Sequence, residues 1–202
     1  MSGSIWVKVC GLTTSEGVAA AVDAGVNAVG FVFAESKRKV TARQAAELAR
    51  AVPREILRVA VMLHPSQAEL DEVWSQFRPD VLQTDAEDLA TLRVPEGLRV
   101  TPVFRAGREL PATLPSRLLF EGPVSGAGET TDWSAAASLA ARTQLILAGG
   151  LKPANVAEAI AIARPFGVDV SSGVEARPGM KDPQKIYDFV RNARAADNGA
   201  VK

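Results

Sequence analysis

Cysteine and histidine are almost absent from this chain of 202 residues, which contains one of each, Cys10 and His64. A single cysteine cannot close an intramolecular disulfide. One cysteine and one histidine are also too few for a zinc site of the usual kind. The composition therefore predicts neither a disulfide scaffold nor a metal site.

The sequence also lacks an excess of charge and a long apolar run. It has 23 basic and 23 acidic residues, so it offers no electrostatic surface for a phosphate backbone. No apolar run approaches the roughly 20 residues of a membrane span, and the first residues do not form a secretion signal. We expect no nucleic-acid partner, no membrane partner and a cytoplasmic location.

What the sequence does have is the composition of one globular domain. Apolar residues make up 47% and charged residues 23% of the chain, which is ordinary usage for a folded protein. No change of composition marks a linker or a second domain. We expect a single domain over residues 1–202, with the last few residues as a flexible tail.

Apolar segments rich in β-branched residues alternate with amphipathic ones, a pattern typical of parallel strands joined by helices. Three possible capping boxes, at residues 13–16, 41–44 and 66–69, mark helix starts. The predicted strands are Ile5–Cys10, Asn27–Phe33, Ile56–Leu63, Asp80–Gln83, Leu98–Phe104, Arg117–Glu121, Gln144–Ala148 and Gly167–Ser171.

Eight such strands in about 200 residues favour an α/β fold of the (β/α)8 TIM-barrel type. The segment Arg105–Ser116 carries one glycine and two prolines, so helix 5 is expected to be missing or irregular. An open doubly wound sheet is the structural alternative, but no G-x-G-x-x-G motif or P-loop follows the first strand.

Glycine and serine follow the last two strands, where barrel enzymes commonly bind phosphate. Gly149 and Gly150 follow strand seven, and Ser171, Ser172 and Gly173 follow strand eight. Backbone N–H groups without a neighbouring Cβ can approach an anion closely. The pattern predicts a phosphorylated small-molecule ligand; the alternative is that these residues only turn the chain.

Two further residues stand where a barrel carries its chemistry. Cys10 ends strand one, where a thiolate can act as base or nucleophile, although a lone cysteine is often only a small apolar residue. Asp132 follows the glycine-containing loop Ser125–Gly128 and suits either a general acid or a helix N-cap. His64 is interpreted as a loop residue.

Four sequence segments together resemble one enzyme family. They are Lys8–Thr13, Gly30–Phe33, Leu147–Leu151 with Pro153 and Asn155-Val156, and Gly167–Glu175 with Pro178-Gly179 and Lys181-Asp182. In this combination they are similar to the phosphoribosylanthranilate isomerases of tryptophan biosynthesis. The similarity extends over about residues 5 to 194.

The resemblance implies an Amadori rearrangement of N-(5'-phosphoribosyl)anthranilate to 1-(2-carboxyphenylamino)-1-deoxyribulose 5-phosphate, without metal or cofactor. Cys10 matches the family's general base and Asp132 its general acid, although Thr131 replaces the usual phenylalanine. Asp132 would open the furanose ring and Cys10 would remove the C2' proton. The substrate's own nitrogen would be the electron sink.

The resemblance also assigns substrate-binding positions. Arg38 matches a basic residue near the anthranilate carboxylate, or else is a solvated charge. Gln83 begins a segment, Gln83-Thr84-Asp85-Ala86, that replaces the family's Gln-Leu-His-Gly in the anthranilate pocket. Asp169 stands two residues before Ser171 and so shares its strand face. A buried structural carboxylate is the alternative for Asp169.

Two other functions remain open from the sequence. One is a related sugar-phosphate isomerase of histidine biosynthesis, which generally has Asp where Cys10 stands. The other is a catalytically silent phosphate-binding barrel, suggested by the altered segment after strand four. The sequence does not determine the oligomeric state.

Overall fold

Eight parallel strands close into a barrel in the computed structural model, which describes residues 4–122 and 131–199, the last three by backbone alone. Neighbouring strands follow chain order, and β8 pairs with β1 to close the barrel. The strands are β1 (Trp6–Cys10), β2 (Ala28–Val32), β3 (Leu57–Val61), β4 (Val81–Asp85), β5 (Arg99–Arg105), β6 (Arg117–Glu121), β7 (Gln144–Leu147) and β8 (Gly167–Val170). The predicted (β/α)8 barrel is confirmed. The predicted loop at Ser125–Gly128 and the end of the predicted tail lie outside the described residues.

Within residues 4–122 and 131–199, six α-helices lie outside the strands and cover the barrel. They are α1 (Ser15–Asp23), α2 (Ala42–Ala49), α3 (Gln67–Phe77), α4 (Trp133–Ala140), α5 (Val156–Ala163) and α6 (Pro183–Gly199). The chain between β5 and β6 forms no helix, as the glycine and prolines there predict. A 3-10 turn, Ala86–Ala90, replaces the helix between β4 and β5. No helix among the described residues is long and apolar enough to cross a membrane.

The helix starts follow the predicted caps with one difference. Thr41 and Ser66 both form complete capping boxes with the residue three positions later. At α1 the cap is Thr14, whose side chain accepts a hydrogen bond from the N–H of Gly17. Thr13 instead donates its hydroxyl to the carbonyl of Gly179, 2.5 Å away, so a tertiary contact displaced the predicted box.

Several predicted strand ends differ from the structure by one or two residues. β4 continues to Asp85 rather than ending at Gln83. Helix α5 begins at Val156, because the side chain of Asn155 accepts the N–H of Lys152 and holds residues 152–155 in a turn. The longer β4 and the turn before α5 both place polar groups at the C-terminal end of the barrel.

The strand register determines what fills the barrel. On β1, alternation sends Trp6, Lys8 and Cys10 inward and Val7 and Val9 towards the helices. The lower interior is filled by apolar side chains, including Ala28, Val59, Val81, Leu119 and Ile146, with Trp6 packed against them. The inward polar residues lie between these apolar side chains and the C-terminal mouth of the barrel, so the fold brings them together there.

Candidate active site

A cavity opens at the C-terminal mouth of the barrel, where the inward-facing end residues of all eight strands meet. Barrel enzymes carry their chemistry at this face. The cavity is lined by Cys10, Val32, Val61, Gln83, Asp85, Val103, Arg105, Glu121, Ala148, Asp169 and Ser171, together with loop residues that include Arg38, Gly149, Gly150 and Ser172. Most of the predicted site residues therefore share one cavity; Asp132 and Gly173 do not line it.

Cys10 is the last residue of β1 and is 7% exposed at the base of this cavity. Burial raises the pKa of the Cys10 thiol above its ordinary value, while the positive charges of Lys8 and Lys181 oppose that rise. The thiol is thus both shielded from water and close to two cations. This is an environment in which a thiolate can remove a proton from a bound carbon acid.

Below Cys10, Lys8 and Asp169 form an ion pair inside the barrel. Lys8 is 1% exposed, and its Nζ donates to Asp169 Oδ2 at 2.7 Å. Burial lowers the pKa of Lys8, but the charges of Asp169 and Cys10 outweigh it and the pKa is raised. The second oxygen, Asp169 Oδ1, is buried without a hydrogen-bond partner among the described residues, so it can accept a hydroxyl of a ligand in the cavity.

Arg38 reaches the cavity from the loop after β2 and is held by Glu175. Its Nε and one terminal nitrogen donate to the two carboxylate oxygens at 2.6 and 3.0 Å. Lys181 donates to the same Glu175 at 2.9 Å and to the carbonyl of Ser171 at 3.0 Å. Arg38 is therefore a fixed cation at the cavity wall, and its second terminal nitrogen makes no hydrogen bond to the described residues.

Asp132 is the N-cap of α4, as the simpler of the two sequence interpretations predicts. Its Oδ1 accepts the backbone N–H groups of Ser134 and Ala135 at 2.9 and 3.1 Å, and the side chain is exposed. The preceding Thr131 is buried and donates its hydroxyl to the carbonyl of Ala148 at 2.6 Å. That bond attaches the start of α4 to the end of β7, beside the cavity.

The ends of β7 and β8 form a cradle of backbone groups. Gly149 and Gly150 both have positive φ angles, +89° and +65°, which favour glycine. Beside them, Ser171 donates its hydroxyl to the carbonyl of Cys10 at 3.1 Å, and Ser172 begins a short 3-10 turn. This side of the mouth suits an anion, and it adjoins the thiol directly.

The opposite wall is a charged network from β4, β5 and β6. Arg105 is 6% exposed and donates to both oxygens of Asp85, at 3.2 and 2.5 Å, and to Glu121. Gln83 lies on the same strand face as Asp85. Asp85 stands at the position of the family's histidine; the pairing with Arg105 explains how a carboxylate is buried there.

A cluster at the rim has a geometry that can hold a cation. Ligand atoms of His64, Asp85 and Glu87 lie within 4.8 Å of one another. However, Asp85 is already paired with Arg105, and Glu87 is paired with Arg108. His64 lies in the loop after β3, as predicted, and its Nδ1 is 2.7 Å from Asp88. The cluster is thus interpreted as a network of ion pairs.

The chain is similar to known enzymes over almost its whole length. The family model of N-(5'-phosphoribosyl)anthranilate (PRA) isomerase matches residues 7–192. The chain belongs to this family. The isomerase of Streptococcus pneumoniae (strain Taiwan19F-14) is 39% identical over 196 residues, which cover 96% of this chain and 98% of that protein.

Solved structures of the isomerase family superpose closely. TrpF from Jonesia denitrificans is 37% identical with a TM-score of 0.80, covering 96% of this chain and 98% of that one. A phosphoribosylanthranilate isomerase in complex with reduced 1-(o-carboxyphenylamino)-1-deoxyribulose 5-phosphate is 30% identical with a TM-score of 0.78, covering 95% and 99%. The barrel fold of this chain is thus that of the isomerase structures.

Several site residues of this isomerase barrel were missed from the sequence. Lys8, Glu175 and Lys181 lie within the motifs that carry the resemblance. Lys8 and Glu175 pair with Asp169 and Arg38, which are far away in the chain, whereas Lys181 pairs with the nearby Glu175. A usable signal was present for Lys8, since it is a charged residue in an apolar strand on the same face as Cys10. Glu121 gave the same signal at the end of β6, and Arg105 was already indicated by its place at the end of β5.

Gly173 is the cradle residue with the tightest surroundings and yields a prediction for this isomerase. A Cβ added there would lie 1.9 Å from the carbonyl oxygen of Leu151. Gly173→Ala should therefore separate the β7 and β8 loops, raise KM for a phosphorylated substrate and cost about 1–3 kcal/mol of stability. Steady-state kinetics and urea unfolding measure both effects.

The matched control is Gly97→Ala. Gly97 has a φ of +84°, unlike Gly173, and nothing lies within 4 Å of an added Cβ. This variant should lose some stability through backbone strain and keep its KM. If Gly173→Ala keeps the native KM, the cradle at β7 and β8 does not take part in substrate binding.

Proposed function

We propose that this chain catalyses the Amadori rearrangement of N-(5'-phosphoribosyl)anthranilate to 1-(2-carboxyphenylamino)-1-deoxyribulose 5-phosphate, in the cytoplasm, with the barrel as its single functional domain. The observation that carries the proposal is a buried thiol, Cys10, in the same cavity as a backbone cradle for phosphate. The relative bound to the reduced product analogue supports the substrate class.

The phosphate binds at the ends of β7 and β8. The backbone N–H groups of Gly149, Gly150, Ser171, Ser172 and Gly173 supply the donors, as at the phosphate sites of other barrels. With the phosphate fixed there, the ribose lies above Cys10 and Asp169. The anthranilate ring then extends over the apolar side chains of β2, β3 and β5.

Asp132 carries out the first proton transfer. Its carboxyl group protonates the furanose ring oxygen while the C1'–O bond breaks. The lone pair of the anthranilate nitrogen forms the C1'=N bond of an iminium ion. Oδ1 of Asp132 caps α4, whereas Oδ2 makes no hydrogen bond to the described residues. Oδ2 is therefore the oxygen assigned to this step.

Cys10 carries out the second proton transfer. Its thiolate removes the proton from C2', and the released electron pair forms the C1'=C2' bond as the iminium nitrogen regains its own pair. The resulting enolamine takes a proton at C1' and loses one from the C2' hydroxyl to give the ketone. No external electron acceptor is needed, since the substrate nitrogen donates its lone pair when the ring opens and regains a pair when the enolamine forms.

The remaining polar residues orient the substrate. Asp169 Oδ1 accepts a ribose hydroxyl, because it is a buried acceptor without a partner among the described residues. Arg38 binds the anthranilate carboxylate through the terminal nitrogen that Glu175 leaves open. Gln83 contacts the aromatic end of the substrate from β4.

The test is a comparison of two substrates with the purified full chain. Conversion of phosphoribosylanthranilate, with no conversion of the aminoimidazole carboxamide ribonucleotide of histidine biosynthesis, is the expected result. Conversion of the second substrate alone would assign the chain to the other isomerase class. Binding of the reduced product analogue without any turnover would make the chain a silent phosphate-binding barrel.

A further inference from the structure

Lys8 is a buried cation that the steps above do not use. Lysine is rarely buried completely, because removing an ammonium ion from water costs several kcal/mol unless it is paired. Lys8 is nevertheless 1% exposed in the barrel interior, with one carboxylate oxygen of Asp169 at 2.7 Å. An apolar side chain would fill this space without that cost in free energy, so the buried charge of Lys8 indicates a further role.

The strand register places Lys8 directly under the proposed base. Lys8 and Cys10 are two residues apart on β1, so both side chains point into the barrel. On β2, a Cβ at Gly30 would lie 3.0 Å from Cys10 Sγ and 3.0 Å from Lys8 Cε. The two side chains therefore share the space that glycine leaves open beside them.

We propose that Lys8 is a positioning residue of the isomerisation, whose ammonium group stabilises the thiolate of Cys10 while Asp169 holds that ammonium beneath it. The inference rests on the proposed function of Cys10 as the base. Lys8 transfers no proton in this scheme. The thiol loses its proton to water, the thiolate takes the C2' proton from the substrate, and Lys8 keeps its charge throughout.

Four charged groups from different elements face Cys10, and their effects differ in sign. Lys8 on β1, Lys181 on the short strand Met180–Lys181, and Arg38 after β2 are positive, and Asp169 on β8 is negative. Burial raises the pKa of the thiol, and the charge of Lys8 is the largest influence that lowers it. Each of the three cations is paired, Arg38 and Lys181 with Glu175 and Lys8 with Asp169. Lys8 is assigned to Cys10 because it lies on the same face of β1.

The experiment uses the fact that Cys10 is the only cysteine in the chain. A titration of thiolate absorbance against pH, or of the alkylation rate, then reports this residue alone. Lys8→Met should raise the pKa of Cys10 by about one pH unit. Protonation of the unpaired Asp169 would make this rise smaller, because it removes a negative charge beside the thiol. Turnover near neutral pH should fall about tenfold and recover as the pH is raised.

Arg43→Met is the control, because it removes an exposed cation from α2 with no effect expected on the thiol. If Lys8→Met fails to fold with Asp169 unpaired, the double variant Lys8→Met with Asp169→Asn removes both charges of the pair. Its thiol pKa should still rise, by less than in Lys8→Met, because the charge of Asp169 opposes that of Lys8 but is the weaker influence. A thiol pKa that is unchanged or lower in the folded variants would overturn the role of Lys8. Because this titration needs no turnover, an inactive native protein would instead overturn the proposed function.

Discussion

Replacing Cys10 by alanine is expected to lower kcat by about a hundredfold to ten-thousandfold. General base catalysis by a positioned side chain contributes an effect of this size. Of the described residues that line the cavity, Cys10 is the one placed at its base beside two cations that favour its ionised form. Asp169 is the nearest alternative base, but the ammonium of Lys8 occupies one of its oxygens.

Two measurements accompany this variant. Calorimetric titration with the reduced product analogue should give nearly the native Kd, because the cradle at β7 and β8 is unchanged. Thermal unfolding should show a modest loss, since alanine removes one buried sulfur atom. A folded Cys10→Ala protein with native turnover would contradict the assignment of the base.

Replacing Asp132 by asparagine is expected to lower kcat by a similar factor while leaving the helix start intact. Asparagine caps a helix as well as aspartate does, so its side-chain oxygen can still accept the N–H groups of Ser134 and Ala135. It cannot, however, donate a proton to the ring oxygen of the substrate. Steady-state kinetics and a thermal melt on the same sample separate the two roles.

Asp132→Ala provides the comparison for that experiment. Alanine removes both the acid and the cap, and losing a cap costs about 1 kcal/mol. This variant should therefore be as inactive as Asp132→Asn but less stable. Native activity in Asp132→Asn, with lost stability alone in Asp132→Ala, would limit Asp132 to a capping role.

The barrel was predictable because its determinants are local. Apolar runs of four to seven residues, broken by capping residues such as Thr41 and Ser66, set the order of strands and helices. The missing fifth helix was equally readable, because prolines and a glycine prevent a continuous helix between β5 and β6. These signals involve neighbours in the chain and need no knowledge of tertiary contacts.

What could not be predicted depends on pairs of residues distant in sequence. The strand β4 extends to Asp85 because Arg105, twenty residues later, neutralises that carboxylate. Similarly, Arg38 is held by Glu175 across 137 positions. A charged residue in a sequence is expected to face solvent unless its partner is known, so these networks emerge only in the folded chain.

The site was predictable in part. The cavity brings together Cys10, the two glycines after β7 and the serines after β8, all of which the strand ends indicated. The sequence offered both the acid and the cap for Asp132, but it could not show that Asp169 pairs with Lys8 inside the barrel. That ion pair depends on how side chains from β1 and β8 pack, which periodicity does not encode.

The most direct test of the central claim is the rate at which the purified native chain converts phosphoribosylanthranilate near neutral pH, measured with and without a chelator. The account predicts turnover at the same rate in both conditions, because proton transfer by Cys10 and Asp132 and the substrate's own nitrogen supply the chemistry. No conversion by folded protein would contradict the proposed isomerase. Conversion that the chelator abolishes would contradict the metal-free mechanism.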